Sequence, residues 1–295
     1  MSDYNELLEN AKEAIRASEL APHAAQIEAL LRPGIAINTE AAPDDAISVG
    51  NSKIGGLPDA PRGFAWPFFR DEPLSFIAQF RLEEIAPFDL DHVLPTSGLL
   101  LFFSALRPMG GEIDDSRLHG DIGLIQETRG AWRILCFDGD QNFERVALPT
   151  RESGRIYKSQ AISSLWNVLS VPDAGAVELN SLLRDEDDDL TDEWDEYLDL
   201  WDEFGLGRSG HHSLLGQGRF RQDDVRICAE RFASQPRIGT PRKTIHRKAA
   251  RWRLLIQLSS INDMSWAGDG YGYFYLPEED LAARRFENAY FGLQR

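Results

Sequence analysis

Two cysteines, three methionines and no long apolar run are what this 295-residue chain has little of. A membrane-spanning helix needs roughly 20 consecutive apolar residues, and no stretch comes near that. Cys136 and Cys228 show no metal-like spacing, which sets aside a disulfide framework and favours reduced thiols. Cations are scarce: 31 Lys and Arg stand against 48 Asp and Glu, a formal charge of −17. Phosphate binding draws on clustered Lys and Arg, so nucleic acid is not an expected partner. The same charge keeps a protein soluble and attracts a basic protein at long range. The run Met1-Ser2-Asp3-Tyr4-Asn5-Glu6 lacks the basic region and apolar core of a secretory signal, so a cytoplasmic location without membrane contact is expected.

Catalytic signatures are missing too. No Gly-x-x-x-x-Gly-Lys-Ser/Thr run, Gly-x-Ser-x-Gly elbow or His-x-x-x-His pair occurs, and neither cysteine has a recognisable histidine companion. Neither a cofactor nor a metal is expected.

What is present is a pattern used twice, about 160 residues apart. The first copy reads Lys53-Ile54-Gly55-Gly56-Leu57-Pro58, then Leu74–Phe80 with Gln79 inside it, then Gly98–Phe103. The second reads Ser213-Leu214-Leu215-Gly216-Gln217-Gly218, then Trp252–Leu258 with Gln257 inside it, then Gly270–Tyr275. Each gives a glycine turn, an apolar strand carrying one glutamine and a strand opened by glycine. Such fixed-order self-similarity indicates one structural unit used twice.

Apolar spacing predicts a helical hairpin over residues 3–31, stopped before Pro33-Gly34. Strands are predicted at 74–80 and 98–106, with a short helix at 82–85 between them, and weaker strands at 121–126, 131–137 and 145–148. Helices are expected at 158–170, 174–184 and 278–285, and strands at 213–220, 251–258 and 271–276. Residues 185–203 hold twelve Asp or Glu and no Lys or Arg, with Leu190, Trp194, Tyr197, Leu198 and Trp201 at three- and four-residue intervals. Thr191 is the expected N-cap of that helix. The organisation expected is one domain over 1–295: a helical extension at 1–32, a first half at 33–150, a helical insertion at 151–210 and a second half at 211–295. Its class is α+β, with duplicated antiparallel-rich mixed sheet units related by a pseudo-two-fold and flanked by helices.

Several of these residues resemble the YwqG-like family, the domain of unknown function DUF1963. They are Ser52–Pro58, Trp66-Pro67, Phe76–Phe80, Leu94-Pro95-x-x-Gly98, His212-x-Leu214-Leu215-Gly216, Gln222-x-Asp224, Leu254–Leu258, Trp266 to Gly270 and Asp280–Phe286. The family pattern after the tryptophan is Gly-Asp-x-Gly, whereas Ala267-Gly268-Asp269-Gly270 places its aspartate one position late. The resemblance implies an α+β fold with two related halves and assigns no activity. Some relatives are reported beside genes for secreted bacterial toxins, which implies an immunity role as one expectation.

Two sets of candidate residues follow. Lys53, Gln79, His212, Gln257 and Trp266 could line a ligand site in the seam between halves, the reading under which the protein is an enzyme or small-ligand binder. The structural alternative has each glutamine tying its strand to a loop backbone, since a buried amide without partners costs roughly 1–3 kcal/mol. His211-His212 with Asp223-Asp224 is the one cluster of metal-ligand types, but adjacent histidines on an extended segment face opposite ways. Asp192, Trp194, Asp195, Tyr197, Asp199 and Trp201 on the acidic helix could instead meet a basic partner such as a toxin. The competing expectation is an aromatic stripe packed on the core with carboxylates in water, or the helix lying against the one basic stretch, Arg237 to Arg253. A non-catalytic binding protein is the leading expectation.

Overall fold

The computed structural model describes residues 4–105, 129–139, 141–149, 155–184, 189–204, 212–235, 237, 239–266 and 268–294. The strand expected at 121–126, the acidic residues 185–188, His211 and Ala267 lie outside them.

Fourteen strands are described: β1 (Arg32–Ala41), β2 (Lys53–Ile54), β3 (Asp59–Pro61), β4 (Phe68–Phe69), β5 (Glu72–Pro73), β6 (Ser75–Arg81), β7 (Leu99–Ser104), β8 (Trp132–Phe137), β9 (Phe143–Arg145), β10 (Gln160–Ser170), β11 (His212–Leu215), β12 (Trp252–Ser259), β13 (Tyr271–Pro277) and β14 (Tyr290–Gln294). The helices are α1 (Tyr4–Ala17), α2 (Ala24–Glu28), α3 (Leu82–Ile85), α4 (Asn180–Leu183), α5 (Glu193–Phe204), α6 (Val225–Ser234), α7 (Arg242–Ala249) and α8 (Glu278–Ala282).

Ten strands form one sheet in the order β14-β13-β12-β11-β1-β10-β2-β6-β7-β8, and β3-β9 and β4-β5 are two-stranded ribbons. Every described pairing in the large sheet is antiparallel. The sheet curls on itself: the rings of Phe102 on β7 and Phe274 on β13 meet at 5.0 Å. Its outer strands approach at one end, where the Trp132 indole donates to the Ala289 carbonyl at 2.6 Å. The result is a mixed α+β fold whose sheet is nearly barrel-shaped.

The interior of this curl is the main core. Ile35, Ile37, Phe80, Phe102, Leu254, Ile256, Phe274 and Phe291 belong to it. Burying each such side chain contributes about 1.5–3 kcal/mol. A second cluster joins Ala11, Ile15 and Ile27 of the α1–α2 hairpin to Tyr197 and Leu200 of α5. A third covers the outer face of β6 and β7 with Trp66 and Leu74, so both faces of those strands are buried. That explains why they read as continuous apolar runs.

The helix expected at 158–170 is instead β10, which pairs along its length with β1 in the middle of the sheet. The error has a local cause. The β1–β10 register shifts so that Asn38 opposes Ser164 and Thr39 opposes Ile162, leaving Ser163 as an extra residue. A bulge restarts the two-residue alternation, so Ile162 and Leu165 share the core face at a helix-like spacing. Within the expected helix 174–184 only Asn180–Leu183 is helical.

Candidate functional site

Lys53 is fully buried, and its surroundings explain how a charge survives there. Its ammonium lies 2.9 Å from Asp44 and 3.9 Å from Asp59. Burial pulls its pKa down, and the two carboxylates oppose that shift. Asp59 is the hub of the cluster: it accepts from Gly50 N at 2.9 Å, Gln79 Nε2 at 2.7 Å and Arg145 Nε at 2.8 Å. Burial alone would raise its pKa, yet Arg145, the Gly50 amide, Lys53 and Gln79 together hold it below the usual carboxylate value. Arg145 also reaches the Asp44 and Ile47 carbonyls. Sequence reasoning missed Asp44, Asp59 and Arg145, because the burial of Lys53, which demands anionic partners, is decided by the tertiary packing around the two-residue strand β2.

Gln79 belongs to the same cluster. Its Oε1 accepts from Asp59 N at 2.8 Å and its Nε2 donates to Asn51 O at 2.8 Å. Gln257 does similar work elsewhere, its Oε1 accepting from Arg219 N at 2.8 Å. The correspondence between these places is detailed. Asp59 follows Lys53 by six residues, as Arg219 follows Ser213. Lys53 opposes Gln79, and Ser213 opposes Gln257. Gly55 and Gly56 hold φ of +71° and +75°, while Leu215 and Gly216 hold +58° and +71°. The β6–β7 register skips Ile77 and the β12–β13 register skips Leu255, each two residues before its glutamine.

The five seam candidates are not gathered at one cavity. Lys53 and Gln79 sit together on β2 and β6, whereas Gln257 and His212 lie on β12 and β11, on the other side of the central β1–β10 pair. His212 is buried, and its Nδ1 accepts from Ser259 N at 3.2 Å, which puts the ring proton on Nε2. Trp266 is completely buried and packs on Phe291 at 5.7 Å. Its backbone N–H donates to Ser260 Oγ at 2.8 Å. Asp269 is exposed and its carbonyl takes the Arg221 guanidinium. Of the metal-ligand types, Asp224 caps α6 and binds Arg226 through both oxygens.

On the acidic helix α5 the two kinds of side chain separate. Tyr197 is fully buried and its hydroxyl donates to Pro172 O at 2.9 Å. Trp194 and Trp201 are half-buried against the second cluster, with Arg184 over the first ring at 5.8 Å and Arg219 over the second at 5.3 Å. Asp192, Asp195 and Asp199 are exposed. Thr191 Oγ1 donates to Leu182 O at 3.0 Å. Three residues of the basic stretch pair elsewhere, Lys248 with Glu230, Arg251 with Glu279, and Arg253 with Asp91 and Glu278, while Arg242 lines a cavity with Trp194 and Leu198 of the acidic helix.

A family model described as a domain of unknown function (DUF1963) matches residues 52–294. The chain belongs to this family. No curated protein matches it. The DUF1963 match takes in both glutamine-bearing strands and the acidic helix, and leaves α1, α2 and all of β1 before it.

Among the described residues of this DUF1963 member, two of the surface cavities stand out by size. One, of about 520 Å³, lies between β8 and the turn at Phe286, lined by Arg133, Cys136 and Arg284. The other, of about 600 Å³, lies among α5, α6 and α7, lined by Trp194, Leu198, Arg231, Arg242 and His246. Sequence reasoning missed both, because their linings come from segments scattered along the chain. Cys228, on the wall of the larger one, has its thiol pushed up to about 11 by burial. Among the described residues no three His, Cys, Asp or Glu side chains are grouped as a metal site.

Proposed function

We propose that this protein is a non-catalytic binding protein, and that the outward face of α5 recognises a basic protein. One observation carries the reading. Asp192, Asp195 and Asp199 repeat at three- and four-residue spacing on exposed positions, while Trp194, Tyr197 and Leu200 turn toward the second cluster. Among the described residues none of those three aspartates is in an ion pair. A helix so arranged recognises by charge rather than by aromatic anchors. It speeds encounter with a cationic surface and loses affinity as salt rises. Capture of a basic toxin, in the manner of an immunity protein, is the concrete form of this reading. We assign it to the cytoplasm because Cys136 and Cys228 are not joined in a disulfide.

We also infer that the sheet is a duplicated unit related by an approximate two-fold axis between β1 and β10. Supporting this are the matched left-handed turns, the matched bulges and the two glutamines accepting from equivalent backbone amides. β1 pairs with β11 and β10 with β2, so each half lends one strand across the centre.

The test is affinity capture from a lysate at low ionic strength. Wild type is expected to retain a protein of basic isoelectric point that is released by salt. The triple variant Asp192→Lys, Asp195→Lys, Asp199→Lys is expected to lose it. Undiminished capture by the variant, or a retained partner that is acidic, overturns the reading.

A further inference from the structure

The strand at one end of the large sheet has a side without a neighbour. β8 ends the strand order, and among the described residues β7 alone pairs with it. The ladder decides which of its main-chain groups are spare, because in an antiparallel pair they point to alternate sides on successive residues. Ala105 N donates to Ala131 O at 2.6 Å, and these two residues follow the Ser104–Trp132 pair in register. Counting two residues at a time, Arg133, Leu135 and Phe137 direct their groups to β7. The other side of β7 agrees. Leu82 N donates to Gly98 O at 2.8 Å, so Leu100 and Phe102 bond to β6 and the residues between them to β8. Trp132, Ile134 and Cys136 are left facing outward.

The Trp132 carbonyl is closed by its own neighbour, accepting from Arg133 Nη1 at 2.9 Å. Among the described residues nothing bonds the outward N–H and C=O of Ile134 or Cys136. Ile134 is nevertheless buried. A buried main-chain group without a partner is rare, because its cost is comparable to that of a lost hydrogen bond.

These groups border the cavity of about 520 Å³, between β8 and the turn that carries Arg284, Phe286 and Glu287. That volume falls within the roughly 300–1,000 Å³ of ligand sites. Arg133 and Arg284 are matched in the lining by Asp138 and Glu287, so the slot favours neither sign of charge. Its shape restricts what can enter. The turn stands against the open edge, so the sheet edge of a second folded copy is held off, whereas a single extended segment fits between the two walls.

We propose that this slot binds a short extended peptide segment, which pairs with Ile134 and Cys136 as an added strand of the sheet. Main-chain bonds supply the recognition, and the balanced lining makes it tolerant of side-chain charge. No residue of α5 lines the slot, so its failure leaves the basic-partner reading untouched.

The probe is the uncharged peptide acetyl-Thr-Val-Thr-Val-Thr-amide, rich in residues that favour strands, titrated into the full chain by calorimetry. Saturable one-to-one binding is expected, unchanged by salt. N-methylation of the peptide at one alternate set of residues should weaken it at least tenfold, and at the other set by less than threefold. Cys136→Pro removes an outward N–H without taking a bond from β7, and should weaken binding at least tenfold, its folding checked by circular dichroism. In the free protein the Cys136 amide should exchange its hydrogen at least tenfold faster than the Leu135 amide, and slow when peptide is added. Absence of saturable binding overturns the proposal, as does equal weakening by the two methylated peptides. Equal protection of the two amides in the free protein means that the edge is already paired, and overturns it too. A dimer in solution that Cys136→Pro dissociates assigns the edge to a second copy instead.

Discussion

Removing the charge of Asp59 is the sharpest perturbation available in this structure. Asp59→Asn preserves shape but replaces one acceptor oxygen with a donor, in a place where Gly50 N, Gln79 Nε2 and Arg145 Nε all donate. It also leaves Lys53, which is wholly buried, with Asp44 as its remaining carboxylate at 2.9 Å. Removing one partner of a buried ion pair costs about 3–5 kcal/mol, because the surviving charge stays desolvated. The expected loss lies in that range, read as a lowered midpoint in urea at neutral pH. Lys53→Met removes the desolvated charge itself while Asp59 keeps Arg145 at 2.8 Å, so it should cost clearly less. The double variant should recover part of the Asp59→Asn loss, since no stranded ammonium remains. The pH dependence has a definite sign. Asp59 is held below its ordinary pKa, so its contribution is intact above the unfolded value near 4 and fades as pH falls through the lower folded value. Wild type and Asp59→Asn should therefore converge in acid below about pH 4. An Asp59→Asn loss under about 1 kcal/mol at neutral pH, or a Lys53→Met loss equal to it, refutes this account of the hub.

Gln257→Leu strands the Arg219 amide, and thermal or urea unfolding should show a loss of about 1–3 kcal/mol. Gln79→Leu strands both the Asp59 amide and the Asn51 carbonyl, so it should cost more in the same assay. Gly270→Ala would drive a methyl into the carbonyl oxygens of Trp266 and Gln294, costing at least about 1–3 kcal/mol, whereas Gly63→Ala meets only the left-handed backbone penalty of about 1 kcal/mol. Both thiols are raised by burial, Cys228 to about 11, so neither should react quickly with an aromatic disulfide at pH 8 in the native state. Denaturant should release both at once; rapid native-state labelling of Cys228 would contradict its burial.

Much of the sheet was readable in one dimension. Phe76–Phe80 and Leu254–Leu258 are apolar at every position but their glutamines because every residue of both runs is buried. The α1–α2 hairpin followed from three- and four-residue spacing, and the Gly55-Gly56 turn from the residue type that tolerates positive φ. β10 was not readable, because a bulge at Ser163 converts strand alternation into an apparent helical period. For the candidate sites the division is similar. The acidic helix announces itself by composition, but which of its side chains face water depends on α1 and α4 packing against it.

The amino-acid sequence alone determined the charge and many of the local elements, β6, β7, β12 and β13 among them, since those rest on composition, backbone preferences and side-chain periodicity. Only the tertiary structure decided that the glutamines bond loop amides, that Lys53 meets Asp44 and Asp59, and that four arginines share one cavity. Those partners are many residues apart, and nothing in a linear pattern specifies which distant groups a curled sheet will bring within a few ångströms.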